Sequence, residues 1–199
     1  MRSFFVLSLT AIFLLIPWSN GCMFNGGSQS NIIKVNCNDI NTINLTKLPA
    51  NIVLLSRCDD YLYKGESLTK AIELFVQEYS ETFEIDPAII WSHLYGLKIE
   101  LSIIPRVVKS AYSTEGNLLK GDVPVNGLAL SPKHIWVEIK TSQIWSSSLI
   151  HELVHTVIWN QNSGIHGDPD HEGKQFSGWT EKHTKLIKDL NIHLLDLGI

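Results

Sequence analysis

The chain has 199 residues, of which 44% are apolar and 18% charged, with a formal net charge of −4. This length suits one domain built around a single core. The lack of a basic excess argues against nucleic acid as a partner, and past the N-terminus no second apolar stretch is long enough to cross a membrane.

The N-terminus reads as a targeting segment. Arg2 precedes an apolar run from Phe4 to Ile16, which is the length of a signal-peptide core and short for a bilayer span. Pro17-Trp18 breaks the run, and Ser19-Asn20-Gly21-Cys22 follows. Small residues at 19 and 21 fit ordinary signal-peptidase cleavage. The same four residues resemble a bacterial lipobox, without its usual Leu three positions before the Cys, and that resemblance implies a lipid anchor on Cys22. Residues 1–21 are therefore expected to be a signal peptide, 22–31 a Gly/Ser/Asn-rich tether, and 32–199 a single domain. The protein is expected to be exported, either secreted or held at a bacterial cell envelope. In an oxidising compartment Cys37 and Cys58 form a disulfide or remain two free thiols. Neither has the Cys-x-x-Cys spacing of a zinc ligand.

Short β-like pieces occupy 32–35 and 51–55. From Ser67, a candidate N-cap, an apolar stripe of Ala71, Ile72, Leu74, Phe75, Tyr79 and Phe83 predicts a helix. It ends near Ile85-Asp86-Pro87, and a short helix over 87–94 is expected. Residues 97–103 alternate with period two and read as a strand. The segment 113–134 is rich in Gly, Asn and Pro, with a candidate strand at 127–130. Residues 135–140 alternate again.

The most informative residues follow, His151-Glu152-Leu153-Val154-His155. No Pro or Gly occurs from Thr141 to Ser163, and the apolar residues around the motif have helical spacing. On a helix, positions i and i+4 share a face, so two imidazoles can hold one ion. Glu152, about 100° around the axis, can take a proton from a water in the ion's open position. Neutral nitrogen ligands, an open position and a carboxylate are what zinc-assisted hydrolysis needs. The competing reading is coincidence, but polar groups inside an apolar helix need partners, and a metal supplies one. A polar loop over 160–178 and a closing helix from Trp179 to Leu197, with Leu186, Ile187, Leu190 and Leu194 on one side, complete the chain.

The order of helix, strands, motif helix, loop and helix predicts an α+β fold with a small, mostly antiparallel sheet packed on helices. Together with the pentapeptide it resembles the zincin metallopeptidases. In that family the strand before the metal helix lies beside the cleft and pairs with an extended peptide. Residues 135–139 take that place here, or else form an ordinary internal strand. The metzincin pattern is excluded, because Ile158 and Gln161 stand where its Gly and third His are required.

A catalytic zinc site needs a third protein ligand, and the following loop holds candidates. Compact, gluzincin-like zincins and the SprT-like group place a His before a Gly, an aromatic residue and a Trp. His171 precedes Glu172-Gly173-Lys174-Gln175-Phe176-Ser177-Gly178-Trp179, with Glu172 intervening. The resemblance thus implies a Zn²⁺ site of His151, His155 and His171, with Glu152 catalytic and a protein or peptide as substrate. His166, Glu172 and Glu181 are the alternative third ligands. Asp168, Asp170 and Glu172 have calcium-like spacing, or mark a turn and supply partners for the His Nδ1–H groups. His183 and Tyr112 are further candidates for hydrogen-bond donors to a transition state. The rival functional readings are a zinc-binding surface lipoprotein without turnover, and an envelope protein with an accidental motif.

Overall fold

The computed structural model describes residues 44–56, 65–113, 117–162, 167–169, 171 and 178–199. The expected signal peptide, tether, Cys22, Cys37, Cys58, the strand at 32–35, His166, Asp170 and Glu172 lie outside the described residues.

The elements run β1 (Asn44–Lys47), β2 (Val53–Ser56), α1 (Gly65–Phe83), α2 (Pro87–Leu94), β3 (Lys98–Ser102), β4 (Arg106–Tyr112), β5 (Leu118–Val125), β6 (Gly127–Ser131), β7 (His134–Glu138), α3 (Leu149–Gln161) and α4 (Glu181–Asp196). This is the expected α+β class. The five-stranded sheet has the order β1-β2-β3-β7-β6, and β4 and β5 form a separate two-stranded ribbon. The main sheet is mixed rather than mostly antiparallel. Its interior pairings, β2 with β3 and β3 with β7, are parallel, and its outer pairings are antiparallel.

One face of the sheet is apolar. Leu54 on β2, Ile99 and Leu101 on β3, and Ile135 and Val137 on β7 stand at alternate strand positions and join the core. The helices cover this face. α1 buries Leu68, Ile72, Phe75 and Tyr79 at helical spacing. It begins at Gly65, so Ser67 lies inside it and is not its cap. α2 is capped by Asp86, whose carboxylate accepts from the Ala88 amide at 2.8 Å, with Pro87 opening the first turn. α4 starts after Thr180 and turns Leu186, Leu190 and Leu194 inward. α3 is buried nearly all round, from Leu149 to Ile158, as befits a helix enclosed by the sheet and the other helices. Removing one of its large apolar side chains, Leu153 for example, is expected to cost about 2–5 kcal/mol.

β7 is an internal strand, between β3 and β6. Among the described residues the edge strands are β1 and β6, and β6 comes immediately before β7 in sequence. Residues 135–139 are thus the ordinary internal alternative. The ribbon of β4 and β5 was not expected. Its strands are largely exposed and carry Lys109, Lys120, Gly121 and Pro124, so no apolar alternation marks them. No helix among the described residues is long and apolar enough to cross a membrane.

Candidate metal centre

α3 brings His151 and His155 one turn apart, with Nε2 atoms 3.1 Å from each other. His171 arrives from the loop that follows α3. Its Nε2 stands 3.2 Å from that of His151 and 3.2 Å from that of His155. The three nitrogens form a nearly equilateral triangle. A tetrahedral ion about 2.0–2.1 Å from each of three nitrogens spaces them about 3.3 Å apart, so the triangle fits such an ion within a few tenths of an ångström. Among the described residues this is the one group of three or more His, Cys, Asp or Glu side chains that could hold a metal ion. Glu181 is exposed at the first turn of α4 and is not part of it.

The outer nitrogens fix which atoms converge. His155 Nδ1 faces the Gly167 carbonyl oxygen at 2.5 Å, and His171 Nδ1 faces the Ser113 carbonyl oxygen at 3.1 Å. A carbonyl only accepts, so each Nδ1 carries the proton and each Nε2 presents a lone pair. Burial then disfavours the charged form of His155 and His151. It drives His155 down to about 3, with the neighbouring His171 adding to the effect. It also holds His151 well below the usual imidazole range, aided by His155 and His171. Neutral imidazoles with converging lone pairs are in the ligand state.

Glu152 is buried beside this set. Burial raises its carboxyl to about 8, opposed in part by the Ala129 amide, which donates to the carboxylate. Ala129 lies on the edge strand β6, so the acid is seated against that edge. The seat depends on Gly127, where an added β-carbon would fall within 2.8 Å of Glu152 Cδ and closer still to Ser148 Oγ. Ser148, just before α3, donates from Oγ to the Asn126 carbonyl at 2.8 Å and ties the helix start to the strand start.

Trp179 backs the triangle. Its ring centroid lies 5.1, 4.7 and 4.6 Å from those of His151, His155 and His171. An indole nearly equidistant from three rings covers one side of their plane. Its Nε1–H donates to Thr184 Oγ1 at 3.0 Å, which fixes the ring.

Hydrogen bonds and close packing hold the described residues of the loop. Asp168 and His171 both have left-handed backbone, φ 53° and 45°, which non-glycine residues adopt at a cost. The His171 amide donates to the Asp168 carbonyl at 3.2 Å, and the Trp179 amide donates to Asp168 Oδ2 at 2.6 Å. Gly167 packs so closely on His155 that an added β-carbon would fall within 2.9 Å of the His155 carbonyl carbon.

The structure thus brings together His151, Glu152, His155 and His171. It gives the Nδ1–H groups of His155 and His171 to backbone carbonyls rather than to acidic side chains of the loop. His183 is not free to serve a reacting group. It is buried, accepts the Thr180 amide at Nδ1 (3.0 Å), and meets the Tyr79 hydroxyl at Nε2 (3.1 Å). Phe83 stacks on it at 4.2 Å. Tyr112 is half-buried at the end of β4, next to Ser113. The sequence reading missed Ser113, Gly127 and Gly167. Two of these act through their carbonyls, which leave no residue-type signal, whereas a Gly opening a strand does point to a close approach.

No known protein family, curated protein or solved structure matches the chain.

Proposed function

We propose that the chain is a zinc-dependent peptidase of zincin type, acting on protein or peptide. The observation that carries this reading is the triangle of three lone-pair Nε2 atoms with a buried carboxylate beside it at an open sheet edge. Three neutral imidazoles at tetrahedral spacing favour zinc over hard cations such as calcium or magnesium, which prefer oxygen ligands. A bound zinc ion would supply Lewis acidity, polarising a carbonyl and making water acidic enough to attack it near neutral pH.

The chain's own residues supply the rest. Glu152 takes the proton from the attacking water and passes it to the leaving amine, and an acid raised toward neutrality suits both transfers. The β6 edge lines an extended peptide up by backbone pairing. Among the described residues β6 has β7 as its single strand neighbour. Trp179 keeps water from one side of the histidines. The N-terminal pattern supports export, with Cys22 as a lipid attachment point if cleavage follows the lipobox route.

A zinc-binding protein without turnover is the rival. Buried Glu152 speaks against it, because holding a metal does not require that carboxylate. The test is Glu152→Gln, assayed for zinc content and for cleavage of an unfolded protein. Retained zinc with cleavage lost by at least about 100-fold is expected. Equal cleavage by the variant, or no chelator-sensitive cleavage by the wild type, would overturn the proposal.

A further inference from the structure

Trp136 is buried yet stands apart from the core beneath the helices. It alternates along β7 with Ile135 and Val137, which join that core, so its ring lies on the opposite face of the sheet. Arg106, the first residue of β4, covers it, with the guanidinium carbon 5.4 Å from the indole centroid. Such a contact holds the planar cation against the ring.

This cation lacks a counter-charge. Among the described residues the Arg106 side chain makes no hydrogen bond or ion pair, and its Nη1 is buried without a partner. Two acidic side chains share the face, and each has a basic neighbour of its own. Glu100 lies 3.4 Å from His134 Nε2, and Glu138 lies 3.3 Å from Lys140 Nζ. Leaving a charged donor buried and unpaired is costly, and a carboxylate matches the geometry of a guanidinium fork. Arg106 is half-buried, so part of that fork stays open to an incoming group.

A row of side chains leads from this cation to the β6 edge. Glu100 of β3, Trp136 of β7 and Leu128 of β6 are register partners on one face. The residues flanking Leu128 face the other way. A β-carbon on Gly127 would meet Glu152, and Ala129 packs against the core. The side chains of a peptide paired with β6 must therefore alternate. Those on one face turn toward α3 and the metal centre, and those on the other extend the row beyond Leu128. Strands lie about 4.8 Å apart, so the peptide residue beside Leu128 is two strand spacings from Trp136. The long side chains of arginine and glutamate together span that gap. We propose that Arg106 is a specificity residue, which selects a glutamate of the substrate at the position beside Leu128 on the face away from α3. The inference rests on the peptidase reading above and deepens it, by naming acidic peptide segments as the substrate class.

The test is digestion of an unfolded protein mixture by the zinc-loaded wild type, with the cleaved bonds located by mass spectrometry. It is followed by kcat/KM on matched peptides that carry Glu or Gln at the position found. Glutamate is expected to be enriched at one fixed position near the cleaved bond, and the Glu peptide should exceed the Gln peptide by about 10-fold. Arg106→Gln should bring that ratio to about 1, and Arg106→Glu should turn the preference toward a Lys peptide. A loss of stability alone would slow both peptides alike and leave the ratio standing. Cleavage by the wild type without a glutamate preference would overturn the inference and leave the peptidase reading intact. A preference that survives Arg106→Gln would do the same. A wild type that cleaves nothing in the mixture would sink the peptidase reading itself and the inference with it.

Discussion

Gly127 and Glu152 are packed so that no side chain fits between them. A β-carbon on Gly127 would stand within 2.8 Å of Glu152 Cδ, so the edge strand and the acid fix each other's position. Gly127→Ala must push the carboxylate, the strand or Ser148 aside. Zinc content is expected to stay near wild type, since no ligand is touched. Cleavage should fall by about 100-fold, the usual penalty for a displacement of about 1 Å at a reacting group. The overpacking should cost about 1–3 kcal/mol of stability. Loss of zinc together with activity would show that the strain spreads into α3.

His171 is the candidate ligand whose assignment rests on the structure most. His171→Ala leaves two imidazoles on one helix, which is too few for a stable zinc site. Zinc content in the purified variant is expected to fall below about a tenth of wild type, whereas Glu181→Ala, at an exposed position, should leave it unchanged. Full occupancy in His171→Ala would place the third ligand elsewhere.

The half of the site that lies on one helix is legible in the sequence, because i,i+4 spacing is a local rule and α3 obeys it. The third histidine was legible only through the residues after it, whose resemblance to compact zincin tails singled it out from His166. The edge strand was not legible. Whether 135–139 or 127–131 lies outermost depends on which strand takes β3 as its neighbour, and that choice is made by contacts distant in sequence. The ribbon escaped for a different reason. It buries little, so its residues follow no burial pattern, yet Ser113 at its turn supplies the carbonyl that orients His171.

Glu152 makes a prediction about stripped protein. Its carboxyl is raised from the ordinary 4.5 to about 8 in the fold. The folded state therefore holds a proton that the unfolded state releases above about pH 4.5. The associated stability is fully present below that pH and is lost as pH rises to about 8. Glu152→Gln removes this dependence. In zinc-free denaturant titrations, the variant should gain on wild type between pH 5 and pH 8.5, by an amount on the order of a few kcal/mol. A gap independent of pH would mean that the carboxylate is ionised throughout.

His183 makes the opposite prediction. Burial lowers it to about 4 in the fold, against 6.5 when unfolded. Its surroundings are Tyr79, Phe83, Trp179 and Thr180, with His155 near enough to feel its charge. None of these supplies a negative charge to welcome a proton. Above about pH 6.5 the ring is neutral in both states and adds no pH dependence. Between about 6.5 and 4 the unfolded chain takes up a proton that the folded chain refuses, so stability falls as pH falls. Below about 4 both states are protonated and the difference is constant. Allowing for partial solvent screening, the loss is about 2 kcal/mol. His183→Gln cannot titrate. At neutral pH the variant should be the less stable protein, because it repacks the contacts with Tyr79 and Phe83. Compared at the same zinc loading, the gap between the two should narrow by about 2 kcal/mol from pH 7 to pH 4.5. A constant gap would show that the folded protein protonates His183 as readily as the unfolded chain does.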